Sequence, residues 1–152
     1  MVDGGAGGHA RPSLVECGVI RTTPRESLPE RLRVVHEGIA ELIQRHHPDV
    51  VAVEGIFYAR NARSTIVLGH ARGVILLAAA QAGLPVAEYA PAVVKRTVVG
   101  RGAAAKAQVG YMVAQLLRLT RAPSPADAAD AVAIALTHLL KGGRMVGRAG
   151  GR

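Results

Sequence analysis

Residues 50–53 read Val-Val-Ala-Val and are followed by Glu54. Three β-branched side chains in four positions favour a strand, and the run is too short for a helix. A strand that is apolar at successive positions is covered on both faces, so the chain calls for helices packed on a sheet. Far along the chain, Pro125-Ala-Asp-Ala-Ala-Asp-Ala-Val-Ala-Ile-Ala-Leu is rich in helix formers and carries Asp127 and Asp130 three residues apart. That spacing sets both carboxylates on one helical face. A buried strand ending in one carboxylate, facing a helix with two more, is a way to build an all-oxygen cage for Mg²⁺.

The rest of the pattern alternates strands with helices. Residues 1–12 are Gly-rich and weakly specified, and Leu14 to Thr22 reads as a strand. Ser27-Leu-Pro-Glu30 has capping-box spacing with proline in the first turn. The helix it opens carries Leu28, Leu32, Val35, Ile39, Leu42 and Ile43 on one stripe and ends at Pro48. Further helices are expected over residues 64–81, 91–98, 103–118 and 125–140, with a strand at 85–89 and a flexible hinge at Gly100-Arg-Gly102. This order predicts an α/β fold with a mixed or parallel sheet flanked by helices. One domain is expected over 1–140, then a disordered Gly/Arg-rich basic tail over 141–152.

Charge narrows the partners. The net charge is +8 over 152 residues, and its distribution is uneven. From Gly55 to Ala126 the only acid is Glu88, against nine bases: Arg60, Arg63, Arg72, Lys95, Arg96, Arg101, Lys106, Arg118 and Arg121. Such asymmetry is the footprint of a nucleic-acid surface, although an Arg-rich composition alone gives the same count. No apolar stretch reaches the roughly 18–20 residues of a bilayer span, and no basic-then-apolar leader opens the chain, so a cytoplasmic protein is expected. The single cysteine, Cys17, excludes an internal disulfide and a cysteine zinc site, and it reads as a packed core thiol.

Each acid also has an ordinary reading. Asp127 is the fourth residue of Ser124-Pro-Ala-Asp127 and so completes a capping box in its own right. Asp130, a turn further in, is beyond the reach of a cap, and Glu54 is placed to pair with an arginine at a strand end. His138 stands near the end of the last helix and reads as structural.

The segments Cys17-Gly-Val-Ile-Arg-Thr22, Val53-Glu-Gly-Ile-Phe57, Ala71-Arg-Gly73, Val94-Lys-Arg-Thr-Val-Val-Gly100 and Asp127-Ala-Ala-Asp-Ala131 occur in this order across residues 14–140. In motif, order and spacing the chain resembles the bacterial RuvC Holliday-junction resolvases. The resemblance implies an RNase H-like fold, a homodimer, and symmetrical nicking of four-way DNA junctions in recombination and repair. It also implies two Mg²⁺ or Mn²⁺ ions and a partnership with the RuvA–RuvB branch-migration complex. It places Glu54, Asp127 and Asp130 among the metal carboxylates and Lys95 and Lys106 near the scissile strand. Phe57 and Tyr58, with Arg60, Arg63, Lys95, Arg96, Arg101 and Lys106, would then contact DNA, Phe57 by stacking near the crossover.

One family carboxylate, an Asp on the first strand, has no counterpart. Sixteen residues precede Cys17, and they align with the tail of the family's second strand. The expectation is therefore an N-terminally incomplete resolvase lacking the usual first strand, with Asp3 a weak substitute. Two other readings stay open: a junction-binding remnant that does not cut, and a different RNase H-like nuclease such as an RNA-processing enzyme.

Overall fold

The computed structural model describes residues 1–4, 11–55 and 62–142. Its elements are β1 (Val2–Asp3), β2 (Ser13–Leu14), α1 (Leu28–His46), β3 (Val51–Glu54), α2 (Ala62–Gln81), β4 (Val86–Tyr89), α3 (Pro91–Val99), α4 (Lys106–Leu116) and α5 (Ala126–Leu140). They fall into two compact units: Met1–Gly18 with the chain from Tyr89 onward, and Val19–Glu88 between them.

In the Val19–Glu88 unit, α1 starts where the sequence places it. The Glu30 carboxylate accepts from the Ser27 amide at 3.1 Å and from the Ser27 hydroxyl at 2.9 Å, which satisfies an amide that the first helical turn leaves without a partner. The apolar stripe of α1 is half-buried and packs on α2. A Cβ on Gly38 would come within 2.8 Å of the Ile20 side chain, so only glycine lets Ile20 lie this close to the helix. β3 hydrogen-bonds to β4, and the Val51 amide donates to the Pro85 carbonyl at 3.0 Å. The apolar residues of α2 are spread round the helix, so it cannot bury them all on α1; Ile66, Leu68 and Leu77 stay exposed. Against the expectation, Ser64–Gln81 is long and apolar enough to cross a membrane by length and composition. Arg72, ion-paired to Glu88, lies in the middle of that stretch, a costly place for a charge in lipid.

The other unit packs α3, α4 and α5 around Val94, Val98, Val109, Val113, Leu117, Val132, Ala133 and Leu136. Val113 and Leu136 are fully buried. Thr137, equally buried, satisfies its hydroxyl by donating to the Ala133 carbonyl at 2.8 Å. His138 is buried too, with Nδ1 at 2.8 Å from the Tyr89 hydroxyl, so its structural reading holds. β1 lies on α5, where a Cβ on Gly4 would approach the Leu139 side chain to 3.0 Å.

Four expectations change. The strand expected over Leu14 to Thr22 is only Ser13–Leu14, paired antiparallel with β1 as Val2↔Leu14 and Asp3↔Ser13. The amides of Val15 and Glu16 both turn to the Met1 carbonyl, which ends the ladder. Cys17, past that point, is exposed and is no core thiol. The single mixed sheet is, among the described residues, two two-stranded sheets. Gly100 is a helix cap, not a hinge: its φ of 88° suits glycine, and its amide donates to the Arg96 carbonyl at 2.9 Å to close α3.

Candidate metal centre

Two helix N-termini build the site. α5 begins after Pro125, which is its N-cap and has no side-chain oxygen to offer. Ser124 thus falls one residue outside the helix, and the expected Ser124–Asp127 capping box does not form. Asp127 and Asp130 occupy successive turns of α5, where the positive end of the helix dipole favours carboxylates. α4 begins at Lys106, and its amide end is tied by Gln108, whose side-chain oxygen accepts from the Ala105 amide at 3.0 Å. The helices pack closely at Gly110, where a Cβ would make ordinary contact, 3.6 Å from the Ala122 Cβ and 3.9 Å from the Ala129 Cβ.

The result is a three-residue cluster. Lys106 Nζ lies 2.9 Å from Asp127 Oδ1 and 2.7 Å from Asp130 Oδ2. A lysine in the first turn of a helix faces the wrong end of its dipole, and the two carboxylates offset that. Hydrogen bonds to Asp130 and then Asp127 push the Lys106 ammonium above its ordinary range, so it stays charged at neutral pH. The side chains of Asp127, Lys106 and Asp130 are 80%, 54% and 42% exposed, which leaves them open to a ligand from solvent. Two anionic oxygens that already hold a cation are the donor chemistry a divalent ion of the Mg²⁺ class needs, so the residues present fit such an ion. Among the described residues, no three His, Cys, Asp or Glu side chains gather into a ligand group.

Glu54 ends β3 in the Val19–Glu88 unit, with its side chain exposed. Its backbone carbonyl accepts a hydrogen bond from the Arg72 guanidinium, which also pairs with Glu88 at 2.6 Å. Counting bases along the chain included Arg72 in the basic stretch without assigning it a role. The structure puts it to internal use, since its side chain is only 20% exposed. The missed signal was a single arginine in the mostly apolar stretch 66–80 of α2, with Glu88 the nearest acid in sequence.

Among the bases expected to meet DNA, Arg96, Arg101 and Lys106 are exposed and Lys95 is half-exposed. Phe57, Tyr58 and Arg60 lie outside the described residues, as does the side chain of Arg63. A groove that the sequence did not announce, about 710 Å³, runs beside the start of α5, lined by Leu14, Cys17 and residues 119–124, with Arg121 among them.

A sequence model of the crossover junction endodeoxyribonuclease RuvC matches residues 6–138. The chain belongs to the RuvC family. Enzymes of this family are hydrolases, and they depend on metal ions. A RuvC from Parafrankia sp. (strain EAN1pec) is 51% identical over 142 residues, covering 93% of this chain and 79% of its own length. One from Halorhodospira halophila is 54% identical over 129 residues, 84% of this chain and 77% of its own. The Thermus thermophilus RuvC structure superposes with a TM-score of 0.82 at 40% identity, covering 91% of this chain and 84% of that one. The T. thermophilus RuvC solved in complex with a Holliday junction substrate gives 0.78 at 38% identity, over 86% of this chain and 80% of that one. RuvC membership establishes an α/β fold of the RNase H-like type and accounts for the order of elements from β2 to α5.

Proposed function

We propose that this chain is a structure-specific endonuclease that nicks four-way DNA junctions with the help of divalent ions. The observation that carries the reading is the Lys106–Asp127–Asp130 cluster at the joined N-termini of α4 and α5, in a chain of RuvC family membership. Glu54, Asp127 and Asp130 serve as carboxylate ligands for two Mg²⁺ or Mn²⁺ ions. A bound divalent ion supplies an activated water and offsets charge on the phosphate. The protein's own part is to orient the carboxylates and to bring Lys106 to the phosphate, where a cation steadies charge building in the transition state. Lys95, Arg96, Arg101, Arg60 and Arg63 hold the DNA backbone, Phe57 stacks on a base near the crossover, and Tyr58 contacts the DNA beside it.

The working form is a homodimer in the cytoplasm that acts with the RuvA–RuvB complex. The exposed stripe of α2 supports the dimer, because Ile66, His70, Gly73 and Leu77 follow one helical face and are all exposed. A Cβ on Gly69 or Gly73 would meet nothing within 4 Å, leaving the face open to close approach by a second helix.

A second reading, a junction binder that does not cut unaided, is favoured because, among the described residues, no third carboxylate joins Asp127 and Asp130 in a ligand group. In it, full activity needs the carboxylate that a RuvC first strand carries.

The experiment is a comparison of cutting and binding on four-way junctions, linear duplex and RNA–DNA hybrid. The 152-residue chain is assayed beside a fusion carrying a first-strand segment. Junction cutting by the 152-residue chain itself, abolished by Asp130→Asn with binding retained, supports the reading. Cutting only in the fusion selects the binder for the shorter chain, and preference for the hybrid selects a different nuclease class. Junction affinity should also fall steeply between 50 and 200 mM salt, by about a thousandfold if six phosphates are neutralised; a flat dependence rules out the basic surface.

A further inference from the structure

The carboxylate pair already holds a cation, and that cation belongs to the protein. Lys106 Nζ contacts one oxygen of Asp127 at 2.9 Å and one of Asp130 at 2.7 Å. A divalent ion held between those carboxylates competes with the ammonium for the same negative charge, and the two cations so close together repel each other. We propose that Lys106 is the resident counter-ion of the Asp127–Asp130 pair, that an arriving divalent ion displaces it, and that displacement releases its ammonium to a phosphate of the bound strand. This rests on the metal-centre reading above and adds an order of events to it.

Three features make the exchange workable. First, without a cation the two carboxylates, three residues apart on one helical face, repel each other; Lys106 keeps them converged and so holds the site ready. Second, the ammonium is a weak incumbent, singly charged, half-exposed and carried on a flexible four-carbon stem. Third, its release has a built-in direction. Lys106 is the first residue of α4, where the helix dipole opposes a positive charge. Once the carboxylates belong to the metal, nothing among its contacts offsets that opposition, and a polyanion becomes the better partner. Metal arrival and delivery of the lysine are then one event.

Mn²⁺ binding to the 152-residue protein tests this without any cleavage assay, by the electron paramagnetic resonance of free Mn²⁺. Lys106→Met should bind Mn²⁺ about fivefold tighter than wild type, the span of an exposed ion pair. Lys106→Arg should stay near wild type. The Asp127→Asn/Asp130→Asn double variant should lose binding. If the double variant loses binding but Lys106→Met binds no tighter, the proposal fails while the metal centre stands. If the double variant binds as well as wild type, or neither wild type nor Lys106→Met binds at all, both fail. A second measurement follows the lysine itself: acylation of Lys106, read by peptide mass spectrometry, should rise severalfold on adding Mg²⁺. Unchanged or reduced labelling overturns the displacement.

Discussion

Arg72 reaches from the middle of α2 to the backbone carbonyl of Glu54, the last residue of β3. The same guanidinium pairs with Glu88 on β4, so one side chain ties a helix to the ends of both strands. Arg72→Met should lower the stability of the protein by about 2 kcal/mol, the scale of a charged hydrogen bond lost from a mostly buried position. Arg72→Lys should recover only part of this, because an ammonium lacks the planar fork that serves two acceptors. Urea unfolding at pH 7 reads both, and a neutral Arg72→Met would show that the tie contributes nothing.

The start of α1 gives a pH prediction. The Ser27 hydroxyl, and after it the Ser27 amide, hold the Glu30 carboxyl below the usual carboxylate range. A depressed acid stabilises the fold above its unfolded pKa, and that contribution disappears as pH falls through the folded value. Wild type should therefore exceed Glu30→Gln in urea midpoint at pH 7, with the gap closing on acidification through and below the ordinary range for Glu. A gap that widens in acid would contradict the capping arrangement.

Gly73 separates folding from association. A Cβ at this position meets nothing within 4 Å, and leucine, which ranks just below alanine, is a better helix former than glycine by somewhat less than the roughly 0.8–1 kcal/mol that separates glycine from alanine. Gly73→Leu should therefore leave the unfolding midpoint of the isolated chain unchanged or raised. It should also convert the proposed dimer to monomer, because the added side chain stands where a second helix must come. Light scattering across micromolar concentrations checks it, and an unaltered dimer would move the interface away from this face.

Tyr89 and His138 form a second, part-buried tie, with the rings edge to face and their centroids 6.0 Å apart. Tyr89→Phe keeps the ring and removes the hydroxyl, leaving His138 Nδ1 without this partner. The expected loss is about 1 kcal/mol, measured by thermal unfolding at fixed pH.

Helices were the most legible part of the chain. α1 and α5 announce themselves by a 3.6-residue apolar period and by proline or capping residues at their starts, all local signals. Val51–Glu54 was legible for the same reason, as a β-branched run closed by an acid. The strand after Leu14 was not. The run from 14 to 22 is rich in apolar residues, but a strand needs a ladder partner, and the ladder on β1 ends at Met1. Cys17 follows from that: apolar neighbours in sequence do not bury a thiol when the segment leaves the sheet.

The sequence by itself determined the helices, the acids at 54, 127 and 130, and the family, because these reside in local periodicity and in motif spacing. Only the tertiary structure decided how each charge is used. Arg72 and Lys106 are both bases in an acid-poor stretch, and a count of charges treats them alike. The fold turns Arg72 inward to a strand carbonyl and Glu88, and it places Lys106 between two carboxylates some twenty residues further on. Ion pairing depends on which atoms packing brings within about 4 Å, and packing is a property of the folded chain.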